Sequence, residues 1–195
     1  MGETWLTERL LARPPRPIDQ EEYRDLFLDP AVGAWLRPAP LGPFDDAEIV
    51  EMLANDEVHW AEHGFGPWVL LDRDEGSIVG RGGLQWTRMD GERVVELPWT
   101  VRSGLWGQGL GTEAAAAAIE WAGSLGLNEV VALILPANAS SRRVAEKVGL
   151  QPEGETIHAG LLHLVYRVQT GTAAAARRTV ARSGCGTSGR CRPGR

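Results

Sequence analysis

The sequence predicts an α+β domain, on three observations. After a short opening strand, apolar residues recur at helical spacing as far as residue 60. From Gly66 the pattern changes to short apolar runs divided by turns, the signature of an antiparallel meander. The order then becomes helix, strand, helix, strand, so helices and strands are segregated and do not alternate as repeating βα units. A length of 195 residues suits one domain with a substantial core and leaves a second cramped.

Residues 4–13 read as the first strand, with Leu6, Leu10 and Leu11, ended by Pro14, Pro15 and Pro17. Asp19 is placed to cap a helix carrying Tyr23, Leu26 and Phe27, which Asp29-Pro30 should stop. A proline-rich loop over 37–43 leads to a second helix through Ala47, Val50 and Leu53 to Trp60. The meander strands are expected at 68–71, 77–86 and 94–101, with turns at 72–76 and at Asp90-Gly91. Pro98 interrupts the third; it cannot donate to a ladder, so a bulge or an edge facing a ligand is expected there. A helix to about residue 125, a strand at 129–135, a short helix at 140–148 closed by a left-handed Gly149, and a strand at 161–168 complete the domain. Residues 169–195 have little to bury and are expected to form a disordered tail, which sets the domain at 1–168.

Charge and composition narrow the class. No apolar run approaches the roughly 20 residues that span a bilayer, and no charged-then-apolar leader opens the chain, so a soluble, cytoplasmic protein with no membrane partner is expected. Both cysteines, Cys185 and Cys191, lie in the tail with no histidine nearby, which is no zinc pattern, and no metal is expected. The net charge of −6 hides an asymmetry: the tail has six arginines and no acid, leaving 14 basic against 26 acidic residues in the body, a net −12. Such a body argues against nucleic acid and suits cationic amines, unless the charge serves solubility alone.

Leu105 to Glu113 joins glycines 107, 109 and 111 directly to an alanine-rich helix. Glycines let backbone amides turn towards an anion, and the helix start adds free N–H groups and partial positive charge. A P-loop would need a lysine before Thr112, and Gly111 stands there. A dinucleotide fold would place the glycines after the first strand of a parallel unit, with an acid ending the next strand; Glu129 begins its strand instead.

Trp106 to Ala114 resembles the glycine loop of the GNAT superfamily of acetyl-CoA-dependent N-acetyltransferases. It is most similar to the branch containing the ribosomal-protein-alanine N-acetyltransferases, whose loop reads Trp-Gly-x-Gly-x-Gly/Ala-Thr-Glu-Ala. Thr7 to Leu11, Glu62 to Trp68, Asn138 to Arg142 and Glu146 to Leu150 are similar to further motifs of that family in the same order, so the resemblance covers about residues 4–168. It implies a mostly antiparallel central sheet flanked by helices, with a splayed strand pair that binds acetyl-CoA. On the resemblance, backbone groups of Trp99, Thr100 and Val101 meet the pantetheine arm. The amides of Gly107, Gly109 and Gly111 take the pyrophosphate, with Trp106, Gln108 and Thr112 beside them. Asn138 reaches the pantetheine or the acetylated end, and Ser141, Arg142 and Lys147 are further contacts. Asn138 or Ser140 would also serve as a helix cap, Arg142, Arg143 and Lys147 as a solvated face, and Trp99, Trp106 and Trp121 as core.

Transfer to an amine needs a base for the ammonium proton, a donor for the carbonyl and a proton for the thiolate. Glu96 is the candidate base, on the strand before Pro98, where this branch usually has an acid; the alternative is an exposed acid paired with an arginine. A backbone N–H near Val101 would polarise the carbonyl. The tyrosine that much of the superfamily uses as general acid is missing from 140–149, which leaves Ser141, or Tyr166 at a greater distance. Near the last strand, His158 and His163 occur without the acid found in the alanine-acetylating pattern, which counts against a ribosomal-protein substrate; either histidine lines the acceptor pocket or is structural. The leading function is an N-acetyltransferase acting on a primary amine of a protein N-terminus or a small molecule. A non-catalytic CoA-binding regulatory protein and a tail that meets RNA are the competing readings, and homodimerisation is left open.

Overall fold

The computed structural model describes residues 4–171. The expected first strand is a hairpin of β1 (Trp5–Leu6) and β2 (Leu10–Arg13), turned where the Leu10 amide donates to Thr7 Oγ1 at 2.9 Å. Helix α1 (Gln20–Phe27) follows, but the Asp19 carboxylate does not cap it. That carboxylate accepts both Arg13 Nη atoms at 2.7 Å and the Arg16 amide at 2.8 Å. The helix stops before Asp29-Pro30 as expected, but the pair also starts a helix that was not expected: α2 (Pro30–Leu36) is capped by Asp29 Oδ1 on the Ala31 amide at 2.8 Å. Proline at the first helical position has no N–H to lose there. Helix α3 (Asp46–His63) opens on a capping box between Asp45 and Glu48 and ends at a left-handed Gly64.

The meander holds five strands where three were expected: β3 (Pro67–Asp72), β4 (Ile78–Gly83), β5 (Gln85–Met89), β6 (Glu92–Glu96) and β7 (Trp99–Val101). The runs 77–86 and 94–101 each change sheet partway. Gly83, at φ 123°, makes the first change, and a Cβ there would meet the Gly66 carbonyl oxygen at 2.9 Å. Pro98 makes the second. One sheet has the order β1-β2-β3-β4-β7.

Helix α4 (Leu110–Ser124), strand β8 (Glu129–Ile134) and helix α5 (Ala139–Lys147) follow as expected, with Gly149 at φ 91°. The second sheet has the order β5-β6-β8-β10-β9, in which β9 (Gln151–His158) precedes β10 (Leu161–Gln169). Strand β9 was not expected. Its residues are nearly all exposed at the sheet edge, so it shows no apolar alternation to read. Gln169 belongs to β10, so the last strand runs one residue past the expected boundary; residues 172–195, including Cys185 and Cys191, lie outside the described ones.

The alanines of α4 explain themselves in the core. Ala114, Ala115, Ala118 and Ala122 are all buried, and such small side chains bring the helix close to the sheets. Trp121 on the same helix stacks on Trp68 at 4.5 Å and on Trp60 at 5.3 Å. A second cluster, with Tyr23, Leu26, Phe27, Ile49, Leu53 and Val69, joins α1 and α3 to β3. Among the described residues, no helix is long and apolar enough to cross a membrane.

His59 fastens α3 to the sheet break. Its Nδ1 lies 2.8 Å from the Phe65 carbonyl, and its Nε2 accepts the Trp86 amide at 2.9 Å, so the ring is neutral with its proton on Nδ1. Burial lowers its pKa from the ordinary 6.5, against an upward pull from the Phe65 carbonyl. A depressed folded pKa contributes stability that is present above about 6.5 and lost as pH falls through the folded value. The urea midpoint should therefore drop as pH falls below about 6.5, and the drop should be shallower in His59→Gln. Parallel curves for the two proteins would assign the acid sensitivity to other groups.

Candidate active site

A strand fork lies at the centre of the molecule. Strand β6 meets β8 in parallel at Glu96 and Val131, and the Leu97 amide donates to the Val131 carbonyl at 2.8 Å. The next residue, Pro98, has no N–H, so the ladder stops and β7 crosses to pair with β4. The Arg102 amide donates to Val79 at 2.9 Å. Because bonded positions alternate along an antiparallel strand, Thr100 faces β4 while the amides of Trp99 and Val101 face the fork. The Val101 carbonyl is taken by Trp106 Nε1 at 2.7 Å. On the fork side, then, this residue offers a free donor, while its carbonyl is already engaged.

The glycine loop closes one end of the fork. Gly107 and Gly109 have φ of 80° and 85°, and Gly109 is the residue that opens α4. Both of these glycines, with Trp106, Gly111 and Thr112, line one continuous cavity of about 890 Å³ that also includes Trp99, Thr100 and Val101. Gln108 is not part of the lining; its carbonyl accepts Arg9 Nη1 at 2.8 Å. Arg9 also donates through Nε to Glu113 Oε2 at 2.7 Å and through its amide to Oε1 at 2.8 Å, and Thr7 Oγ1 donates to Oε1 at 2.6 Å. Burial pushes the Glu113 pKa up, but these donors outweigh it and hold the group below the usual carboxylate range. The β1–β2 turn thus latches the loop to the first turn of α4. With acetyl-CoA as the cosubstrate that the resemblance implies, Glu113→Ala should raise its KM by about tenfold, the order expected from losing charge-assisted hydrogen bonds, with a smaller change in kcat. An unchanged KM would show that the loop keeps its shape without the latch.

The opposite wall comes from the end of β8 and from α5. Asn138 lines the cavity and also caps α5, its Oδ1 accepting the Ser141 amide at 3.0 Å. Its NH2 group has no partner among the described residues. Ser140, Ser141, Arg143 and Lys147 line the same wall. Arg142 is turned elsewhere, with Nε 3.3 Å from the Tyr166 hydroxyl and Nη1 3.5 Å from the Pro136 carbonyl. Tyr166 is buried and outside the lining, whereas His158 and His163 are within it. Trp121 is core, while Trp99 and the half-exposed Trp106 are at the cavity.

Glu96 sits where the strands part, 9% exposed, and it lines the cavity. Its Oε2 accepts Gln85 Nε2 at 2.8 Å, while Oε1 has no partner among the described residues. Among the described residues no arginine pairs with it. Behind it runs a buried polar chain that the sequence reading missed. Gln85 Oε1 accepts Arg81 Nη2 at 3.2 Å, Arg81 makes two 2.6 Å bonds to Asp56, and Tyr23 donates to Asp56 Oδ2 at 3.0 Å. Burial pushes the Arg81 pKa down, but Asp56 more than offsets this and the net shift is upward. Burial, and then the Asp56 charge, raise that of Tyr23. A signal was present in the sequence: Asp56 falls in register with Ile49, Leu53 and Trp60 on one helix face, where an unpaired acid would be costly.

This architecture matches known proteins. The family model for the acetyltransferase (GNAT) domain matches residues 9–151. An N-acetyltransferase of Bacillus subtilis, YnaD, is 30% identical over 149 residues, which cover 76% of this chain and 82% of that one. A solved acetyltransferase of Agrobacterium tumefaciens superposes with a TM-score of 0.74 at 29% identity, covering 86% of this chain and 95% of its own. RimJ of Mycobacterium smegmatis, solved in complex with CoA-disulfide, shares the fold with a TM-score of 0.66 at 22% identity, covering 88% of each chain. With a family match over most of its length, a forked sheet and a glycine loop at the start of a helix, the chain belongs to the GNAT family of acetyltransferases.

Proposed function

We propose that this protein is a cytoplasmic N-acetyltransferase that moves an acetyl group from acetyl-CoA directly to a primary amine. The observation carrying this reading is the position of Glu96: a carboxylate with one free oxygen, at the point where the cofactor fork opens, in the same cavity as the glycine loop. The residues present fit acetyl-CoA. Gly107, Gly109 and Gly111 offer amides at a helix start for the pyrophosphate, and Arg143 and Lys147 add positive charge on the facing wall. The Trp99 and Val101 amides face the fork where the pantetheine arm would lie, beside Thr100 and the Asn138 NH2 group. Bound acetyl-CoA supplies the acetyl group as an activated thioester.

The chain's own groups then divide the work. Glu96 Oε1 takes the ammonium proton, directly or through a water, so that the neutral nitrogen can form the new C–N bond. The Val101 amide donates to the carbonyl oxygen as it gains charge. As the C–S bond breaks, the second proton that the nitrogen sheds to become an amide passes to the departing thiolate through Ser141 or a water; Arg142 has no place in the lining and is assigned to Tyr166 instead.

The competing reading is a CoA-binding regulatory protein without catalysis. Release of free thiol from acetyl-CoA, measured across a panel of primary amines, separates the two. Amine-dependent thiol release supports the transferase; acetyl-CoA binding with no release on any amine supports the binder.

A further inference from the structure

The cavity continues past Glu96 into a second half whose chemistry differs from the first. Trp35 and Leu36 of α2, Leu41 and Phe44 of the following loop, and Met52 of α3 form its wall. Trp35 is 40% exposed and Leu36 and Leu41 36% each, so large apolar groups that a chain normally buries stand open here around one cavity.

Charge divides the same way. The cofactor half has Arg143 and Lys147, whereas the second half has Glu51, which has no ion-pair partner among the described residues, and Glu96 at its inner end. The other acids there are already neutralised, Glu48 by Arg37 and Asp56 by Arg81. An ammonium group drawn towards Glu96 would trail its body along the apolar wall.

That wall discriminates among amines. Hydroxyls of an aminoglycoside, further amines of a polyamine, or peptide groups of a protein N-terminus need hydrogen-bond partners once they leave water. Beyond the acids, the polar side chains there are Asn55, the two histidines, and Arg81 and Gln85; the last two are already bonded to Asp56, to each other and to Glu96, and His163 Nδ1 is engaged with the Leu161 carbonyl at 3.0 Å.

We infer that the acceptor is a small primary amine carried on an apolar, aromatic or branched-aliphatic body, held by Trp35, Leu41, Phe44 and Met52 with its ammonium group towards Glu96. This rests on the transferase reading for its chemistry, but the binding preference can be measured apart from it.

The test uses the full chain with acetyl-CoA and follows thiol release with 2-phenylethylamine, tryptamine, spermidine, an aminoglycoside and peptides beginning with alanine or serine. The arylalkylamines should exceed the polar acceptors in kcat/KM by about 100-fold, the order expected when two or more polar groups would be buried unpaired. Trp35→Ala should raise KM for 2-phenylethylamine by about tenfold and leave kcat within about twofold, as loss of one aromatic contact implies. A polyamine, aminoglycoside or peptide as the better acceptor overturns the inference, as does a Trp35→Ala protein with an unaltered KM for 2-phenylethylamine.

Equilibrium binding of 2-phenylethylamine and spermidine to the CoA-loaded protein, read by tryptophan fluorescence, covers the case in which no amine is turned over. Tighter, Trp35-dependent binding of 2-phenylethylamine would then uphold the acceptor class while the transferase reading fails. Equal or weaker binding would overturn the class itself.

Discussion

Glu96→Gln should lower kcat by about 10²- to 10⁴-fold at pH 7, the range associated with removing a positioned base, while the Kd for acetyl-CoA stays within about twofold. The substitution keeps the side chain's size, and the new amide oxygen can still accept Gln85 Nε2, so the cavity wall is preserved. What it removes, on the proposed mechanism, is the free carboxylate oxygen at the opening of the fork that would take the ammonium proton. The defect should therefore shrink as pH rises towards the pKa of the acceptor amine, where the neutral nucleophile no longer depends on the protein. A variant with unimpaired turnover at saturating amine would exclude Glu96 from the mechanism. A uniform defect at every pH would make it a group that positions substrate.

Gln85 gives this prediction its structural basis. A glutamine amide can point either way, but Arg81 fixes the Gln85 oxygen on its own side and so turns the NH2 group towards Glu96. One carboxylate oxygen is held and the other is left free for a proton. The chain from Tyr23 through Asp56, Arg81 and Gln85 thus links α1, α3 and the two sheets to a single side chain at the fork.

How much of this was legible follows from which signals are local. The glycine loop, the alanine helix, Pro98 and the Asn138 helix start are each written in consecutive residues, and their elements fall where the residues place them. The sheet changes at Gly83 and Pro98 are only half legible. Both residues announce a break, but which sheet each half joins is decided by pairing with strands far away in the chain. Strand β9 is an exposed edge with no alternation, and α2 was hidden because an Asp-Pro pair that ends one helix can equally cap the next. The latch between Arg9 and Glu113 and the chain behind Glu96 join residues 104 and 25 positions apart, so no window along the sequence contains them.

Asp56→Ala should have the largest effect on stability. Arg81 is 10% exposed at its side chain and Asp56 6%, and their two 2.6 Å bonds form a buried ion pair. Removing the acid leaves a buried guanidinium without its counter-charge, and breaking such a pair costs about 3–5 kcal/mol. For a domain of this size that corresponds to a fall in Tm of roughly 6–20 °C, followed by calorimetry or circular dichroism. Tyr23 loses its acceptor in the same step. Replacing both partners, Asp56→Leu with Arg81→Met, removes the uncompensated charge and should restore most of the lost stability, since buried pairs often contribute little net energy. It should not restore activity in the same measure, because Gln85 would still lack the arginine that orients it towards Glu96. Recovery of both together would mean that the pair serves the fold alone. Recovery of Tm with kcat still depressed would separate its two roles, support of the fold and orientation of the base.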